Sequence, residues 1–273
     1  MIRSRSRYLL YIPLVVAAIF FLLPIYVMLV TGFKSFAEVS LQTMWDLPRA
    51  GLKLENFQEA YKHLAPALGN SFLMVIPAAV ISSILGSVNG YILAKWKFKG
   101  ADVIFPLILF GMFIPYQSIL IPLVSFMRQI GLYGSIPGLI LTHVIYGIPI
   151  TTLTFRNYYA TIPKELLEAA RIDGAGIIRI FTKVLLPISL PSFVVVVIWQ
   201  FTSAWNDFLF AVALTKPEAW PVTVALNNMA GSQIIAWNVQ MAGSFLAALP
   251  TLIVYIFLGN YFLRGMMAGS LKG

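Results

Sequence analysis

Six long apolar runs dominate the chain, each bounded by a short polar or charged segment. They cover about Tyr8–Gly32, Leu68–Ala94, Val103–Met127, Ile136–Phe155, Ile188–Leu214 and Met241–Leu263. A helix needs about 20 such residues to cross the hydrocarbon core of a bilayer, and every run reaches that length. Helix is the expected form, because backbone groups in lipid must be hydrogen-bonded within their own segment. A membrane β-barrel would instead alternate apolar and polar positions over strands of about 10 residues, and these runs do not. The expected fold is all-α: a single polytopic membrane domain over residues 1–273 with six transmembrane helices.

The first run follows Arg3, Arg5 and Arg7, an arrangement shared with signal peptides. Its apolar stretch is far longer than the 7–15 residues or so of a signal core, and no small-x-small site follows it. It reads as an uncleaved first span.

Composition agrees. Hydrophobic residues make up 59% of the 273 positions and charged residues 11%, less than half the roughly 25% usual in soluble domains. Mean hydropathy is +0.85. A secreted domain, a disordered tail and an ordinary cytosolic enzyme are excluded. The absence of Cys removes disulfides, thiolate nucleophiles and Cys-rich metal sites, and two His, His63 and His143, do not support a multi-histidine site.

Net charge is +9, and its distribution sets a topology. With the N-terminus inside, the inner segments hold Arg3, Arg5, Arg7, Lys95, Lys97, Lys99, Arg156, Lys164, Arg171, Arg179, Lys183, Arg264 and Lys272. The outer segments hold only Lys34, Arg49, Lys53, Lys62, Arg128 and Lys216. Positive charge stays on the cytoplasmic side, so both termini are expected there, and the basic excess needs no nucleic acid.

Several features inside the runs leave alternatives open. Ala78, Ser82, Gly86 and Gly90 form a small-residue stripe at steps of four, suited to close helix packing within the chain or against a partner. Pro13, Pro24, Pro77, Pro106, Pro115, Pro122, Pro149 and Pro250 imply kinks or local unwinding. Asn70, Asn89, Gln117, His143, Gln200, Asn206 and Asp207 are the polar candidates for a solute path or gate, with Trp199 and Trp205 as aromatic faces beside Gln200 and Asn206. The same groups equally suit contacts between helices. Of the outer segments, Phe33–Ala67 is nearly neutral, and Thr215–Gln240 carries Trp220 and Trp237, suited to an interfacial connection or to docking an external partner.

No phosphate-binding G-x-x-x-x-G-K-[ST] occurs, and no H-E-x-x-H or serine elbow. The chain is expected to be no enzyme. Almost no ionisable side chain lies within the spans, which disfavours a proton-coupled carrier; an ion-coupled secondary carrier acting without an ATPase is the alternative reading.

The longest inner segment, Arg156 to Lys183, contains Thr161-Ile162-Pro163-Lys164-Glu165-Leu166-Leu167-Glu168-Ala169-Ala170-Arg171-Ile172-Asp173-Gly174. Pro163 suits the first turn of a helix. Lys164 with Glu168, and Glu168 with Arg171, are spaced to meet on a helix surface. Gly174 suits the left-handed conformation that ends a helix. The pattern predicts a short amphipathic helix over about 163–174, with Leu166, Ala169, Ala170 and Asp173 on one face. Pattern alone leaves open whether it lies on the bilayer or meets another protein.

Glu168-Ala169-Ala170, then Gly174, then Val184-Leu185-Leu186-Pro187 resembles the EAA signature of permease subunits of bacterial ABC importers. Ile162-Pro163-Lys164-Glu165-Leu166 and Arg171-Ile172-Asp173-Gly174-Ala175 are similar to its carbohydrate branch, which includes the smaller permease of the maltose transporter. Ile114-Pro115, Trp205-Asn206-Asp207-Phe208-Leu209 and the tail Arg264 to Gly273 extend the likeness. Val184 stands where the family usually has Ile, and Met266-Met267 where it more often has Leu-Thr.

The resemblance implies a type I importer permease. It makes Glu168, Ala169, Ala170, Asp173, Gly174 and Pro187 the coupling elements to an ATPase, with Gly269, Lys272 and Gly273 as a second contact. Gln117, Gln200, Trp205, Asn206 and Asp207 would lie on the solute path or gate. It further implies a second, different permease, two ATPase subunits carrying ATP and magnesium, an extracytoplasmic solute-binding protein, a sugar substrate and a bacterial plasma membrane.

Overall fold

A computed structural model describes residues 3–231 and 236–268. The helices are α1 (Arg3–Gly32), α2 (Glu55–Lys95), α3 (Ala101–Phe110), α4 (Leu120–Gln129), α5 (Ile136–Thr161), α6 (Lys164–Ile172), α7 (Ile177–Ile180), α8 (Leu186–Ile188), α9 (Leu190–Trp205), α10 (Leu209–Leu214), α11 (Val222–Ala230) and α12 (Trp237–Ala268). No named strand occurs among the described residues. Gly269, Lys272 and Gly273 lie outside them.

Four helical stretches are individually long and apolar enough to cross a membrane: Tyr11–Gly32, Glu55–Lys95, Ile136–Thr161 and Trp237–Gly259. The third expected span is a bent pair, and a second bent pair overlaps the fifth expected span but begins before it, at Ile177. Ala101–Phe113 and Tyr116–Gln129 meet at 89°, and Ile177–Ile188 and Leu190–Trp205 at 78°. Counting each pair as one span makes six.

Prolines account for both bends. Ile114 and Pro115 are extended, with ψ 118 at each, as the crowding of a proline ring on the residue before it requires. Near the second bend, the helix widens into a π turn over Phe181–Leu185 before Pro187. Pro187 has no N–H for the carbonyl four residues earlier, and its ring pushes that turn open. The fifth expected span is interrupted again after Trp205, where Asn206–Phe208 separate α9 from α10.

The chain divides into two compact units. The first comprises Met1–Pro66 and Ala225–Leu249. Its core joins Ala60, Val239 and Ala242, with Phe57, Met229 and Leu246 packed around them. Asn56, buried, ties the start of α2 to the end of α1: its Nδ2 donates to the carbonyls of Gly32 and Lys34, both at 2.8 Å. Asn238 Nδ2 donates in turn to Asn56 Oδ1 at 2.9 Å. A buried amide is stable only with such partners.

The loop after α1 is organised by Glu38. Its carboxylate accepts from Ser35 N at 3.0 Å, Ser35 Oγ at 2.8 Å, Arg49 N at 2.7 Å and Ala50 N at 2.9 Å. These bonds, the Ser35 backbone N–H foremost, hold its pKa down from 4.5 to about 2. A depressed carboxylate stabilises the fold fully above its unfolded pKa and loses that contribution as the pH falls through its folded one. Hydrogen-exchange protection of residues 33–54 should therefore be flat from neutral pH to about 4.5 and decline toward about pH 2. In Glu38→Gln that acid-dependent decline should disappear; an unchanged profile would show that the carboxylate does not hold the loop.

The second unit comprises Ala67–Val224 and Pro250–Gly273. Its centre is the seam between α2 and α5. At Gly86 and Gly90 the backbone of α5 comes so near that a Cβ would strike it, at 2.7 Å from the Thr151 carbonyl carbon and 2.6 Å from Arg156 N respectively. Thr151 Oγ1 donates across the seam to Ser82 O at 3.0 Å. The small-residue stripe thus packs within the chain.

Candidate functional site

The helix α6 starts at Lys164, with Pro163 extended in the cap position (φ −57, ψ 142) rather than inside the first turn. It ends at Gly174, whose φ of 77 is the left-handed conformation the turn demands. Neither Lys164 with Glu168 nor Glu168 with Arg171 forms an ion pair; those recorded among the described residues lie elsewhere. Arg171 instead stacks its guanidinium over Trp96, 4.7 Å from the ring centroid.

Leu167 anchors the helix. It is buried in a cluster with Tyr91, Phe155, Tyr159, Ile162, Ile180, Leu185 and Val196, against which Ala170 and Ala175 also pack. Hydrogen bonds lock the surroundings. Tyr159 Oη lies 2.6 Å from Ser87 Oγ and donates to Ser189 Oγ at 3.2 Å. Tyr158 Oη donates to Ile188 O at 2.7 Å, and Lys95 Nζ to Ile162 O at 2.5 Å. The cluster therefore draws on α2, α5, α9 and the segment between α6 and α9.

The opposite face of α6 is open. Leu166, Glu168, Ala169, Ile172 and Asp173 are exposed, Ile172 at 86%. The expected face of Leu166, Ala169, Ala170 and Asp173 exists, except that Ala170 turns toward the core. Ile177 and Ile178 add apolar surface beside it. Pro187 is exposed just before the 78° bend, which falls at Ser189. Sequence reasoning did not single out Leu167: Leu166 and Leu167 are adjacent and chemically alike, so periodicity does not choose between them.

The polar residues proposed for the path separate into two groups. A cavity of about 90 Å³ is lined by His143, Tyr146, Gln200 and Ser203, with Trp199 and small residues of α2 and α5 around them. Gln200 Nε2 donates to Ser82 Oγ at 2.9 Å, passing Gly147, where a Cβ would collide with the amide. His143 Nε2 lies 3.6 Å from Asp207 Oδ2 and has no hydrogen-bond partner. Asp207 meanwhile accepts from Ala211 N at 3.0 Å, closing the first turn of α10, and its carbonyl accepts from Thr223 Oγ1 at 2.7 Å.

The remaining candidates lie away from that cavity lining. Gln117 is exposed in the turn between α3 and α4. Asn206 is exposed and donates to Thr202 O at 2.9 Å. Trp205 is buried, its ring packed by Phe72 at 4.9 Å and Phe201 at 5.5 Å. Its faces are taken by neighbours and do not offer a platform for a sugar; Trp199, half-exposed at the cavity, is the open indole.

Among known proteins, the family model described as binding-protein-dependent transport system inner membrane component matches residues 86–267. A probable ABC transporter permease of Pyrococcus horikoshii is 48% identical over 274 residues, covering 99% of this chain and 98% of its own. The xylose/arabinose import permease of Haloferax volcanii is 36% identical over 90% of this chain and 87% of its own. The glucose import system permease of Saccharolobus solfataricus is 34% identical over 96% and 95%. The fold matches a chain in the crystal structure of a bacterial ABC transporter involved in alginate import, with TM-score 0.79, 23% identity, and coverage of 96% of this chain and 99% of that one. With the family model covering most of the chain and relatives aligned along nearly all of it, the chain belongs to the inner membrane components of binding-protein-dependent transport systems.

Proposed function

We propose that this chain is one permease subunit of an ATP-driven importer for a sugar or oligosaccharide, with α6 as its coupling helix. The observation that carries the proposal is the two-sided setting of α6. Leu167 fixes it to the core, while Leu166, Ala169, Ile172 and Asp173 face outward beside Ile177 and Ile178. Contiguous exposed apolar surface of this kind marks a contact with another molecule. Relatives named for xylose/arabinose and glucose import support a sugar as the solute.

On this reading two ATPase subunits hold ATP and magnesium, since the chain has no phosphate-binding loop. A second, different permease completes the path, and an extracytoplasmic binding protein delivers the solute. The protein spans the plasma membrane with both termini cytoplasmic, which places α6 on the side of the ATPases. When they close, α6 moves as a rigid body. A close-packed cluster transmits displacement rather than absorbing it, so the Leu167 core passes the movement to α2, α5 and α9. Those helices carry Ser82, His143 and Gln200, and the cavity between them is the part of the path this chain contributes.

The test is extraction of the tagged chain from its native membrane in mild detergent, followed by uptake assays in vesicles. An ATPase and a second permease should co-purify, and labelled sugar should accumulate only with ATP and binding protein. Uptake by the chain alone, without ATP, would overturn the proposal in favour of a secondary carrier.

A further inference from the structure

A cavity of about 620 Å³ opens where the end of α2, the start of α3 and α6 come together. Five cations line it: Lys95 from the end of α2, Lys97 and Lys99 from the α2–α3 connection, and Lys164 and Arg171 from α6. Two carboxylates, Asp102 and Glu168, share the lining, which leaves a net charge of +3. The ion pairs recorded among the described residues involve none of these groups. Two of the cations are held in place, Lys95 by the carbonyl of Ile162 and Arg171 by the ring of Trp96. Trp96 also lines the cavity, and its Nε1 is buried without an acceptor.

Like charges gathered around one concavity repel, and the lining carboxylates do not offset them. An anion presenting several oxygens to Lys, Arg and an indole N–H satisfies such a set together, and a phosphate is the common one. The setting of α3 narrows the source. This helix leads away from the cavity with no buried residue, and Val103, Ile104, Leu107 and Phe110 are all exposed along it. A free phosphate has no use for that apolar lane, whereas an acyl chain does.

We infer that the cavity holds the phosphate headgroup of an anionic phospholipid whose acyl chains lie along α3. The inference rests on the proposed topology, which puts the cavity at the headgroup level of the inner leaflet, where basic pockets at helix ends take such lipids. Because Lys164, Glu168 and Arg171 belong to α6, the bound headgroup braces the coupling helix from the membrane side.

The experiment uses the chain with its co-purified partners in nanodiscs of phosphatidylcholine and phosphatidylglycerol in equal amounts, with retained lipid measured by native mass spectrometry. Phosphatidylglycerol should be enriched, and Lys97→Gln and Lys99→Gln, both exposed positions, should each lower the enrichment about fivefold. Equal retention of the two lipids, or enrichment unchanged in the double variant, would overturn the inference. Displacement of phosphatidylglycerol by inorganic phosphate alone would assign the cavity to a soluble phosphate. Loss of the ATPase from the double variant with lipid retention intact would assign the cations to the protein partner. The nanodisc result does not depend on topology, which a separate variant reports. The chain has no Cys, so Lys99→Cys should react with a membrane-impermeant maleimide in inside-out vesicles and stay protected in right-side-out ones. Reaction from the outside would overturn the inner-leaflet placement even with lipid bound.

Discussion

Glu168→Lys should abolish sugar uptake while the protein still inserts and extracts at normal yield. Glu168 is exposed and joins no ion pair within the described chain, so its replacement removes nothing the fold relies on. On the proposed coupling role, the loss falls on the contact with the ATPase. Truncating one member of a hydrogen-bonded charge pair at an interface costs about 2–5 kcal/mol, which weakens docking about 30-fold or more, and a lysine adds repulsion wherever the carboxylate met a cation. Gly174→Val should act the same way by a different route. A Cβ there meets open space, so the difficulty is the backbone: φ is 77, and a side chain in the left-handed region costs about 1–2 kcal/mol, more when β-branched. The turn would re-form in another conformation and re-aim α6. Leu167→Ala is the contrast. It empties part of a buried cluster at about 2–5 kcal/mol, so the yield of folded protein should fall together with uptake. Measuring ATPase co-purification, uptake and extraction yield on all three separates these outcomes. Normal uptake in Glu168→Lys would sink the coupling role.

A second large effect is expected at the seam of α2 and α5. Gly86→Val and Gly90→Val should each prevent recovery of folded protein in detergent. Added Cβ atoms would sit 2.7 Å and 2.6 Å from backbone atoms of α5, and backbone cannot rotate out of the way as a side chain can. Overpacking costs about 1–3 kcal/mol where side chains yield, and here the helices must separate. Separation would also break the bond from Thr151 Oγ1 to Ser82 O, leaving that hydroxyl only the Gly147 and Ile148 carbonyls of its own helix. Gly69→Ala is the control on the same helix. Nothing lies within 4 Å of its Cβ position, and alanine favours a helix by about 0.5–1 kcal/mol. Thermal unfolding followed by fluorescence size exclusion should show Gly69→Ala unchanged or more stable and the two valine variants lost. Survival of Gly86→Val with an unshifted transition would mean the seam is looser than these distances.

Both sets of variants bear on the same mechanical chain. The seam joins α2 to α5, and the Leu167 cluster joins α6 to α2, α5 and α9. A push on α6 reaches the Gln200–Ser82 bond and the His143 cavity only if the seam stays closed. Uptake is therefore expected to depend on the seam staying closed, and Thr151→Val, which keeps the side chain's size but removes its bond to Ser82 O, provides the comparison.

What the chain determined by itself was its solvent and its segmentation. Apolar runs of about twenty residues or more have one stable environment, and their lengths set the number of candidate crossings. The α6 segment was equally legible, because Pro163, the Glu168 spacing and Gly174 are local signals that need no distant partner. Tertiary structure decided everything that depends on which neighbour a residue meets. The stripe of Ala78, Ser82, Gly86 and Gly90 had two possible partners until α5 occupied it. Leu167, which the pattern did not distinguish from Leu166, is the buried one, because a one-residue step on a helix turns a side chain by about 100°. Trp205, read as a face for sugar, is packed between Phe72 and Phe201, while Trp199, six residues earlier on α9, keeps its surface. Pro115 announced that the third span would deform, but whether it kinked or broke depended on the surrounding helices, which alone can satisfy the backbone groups a break exposes.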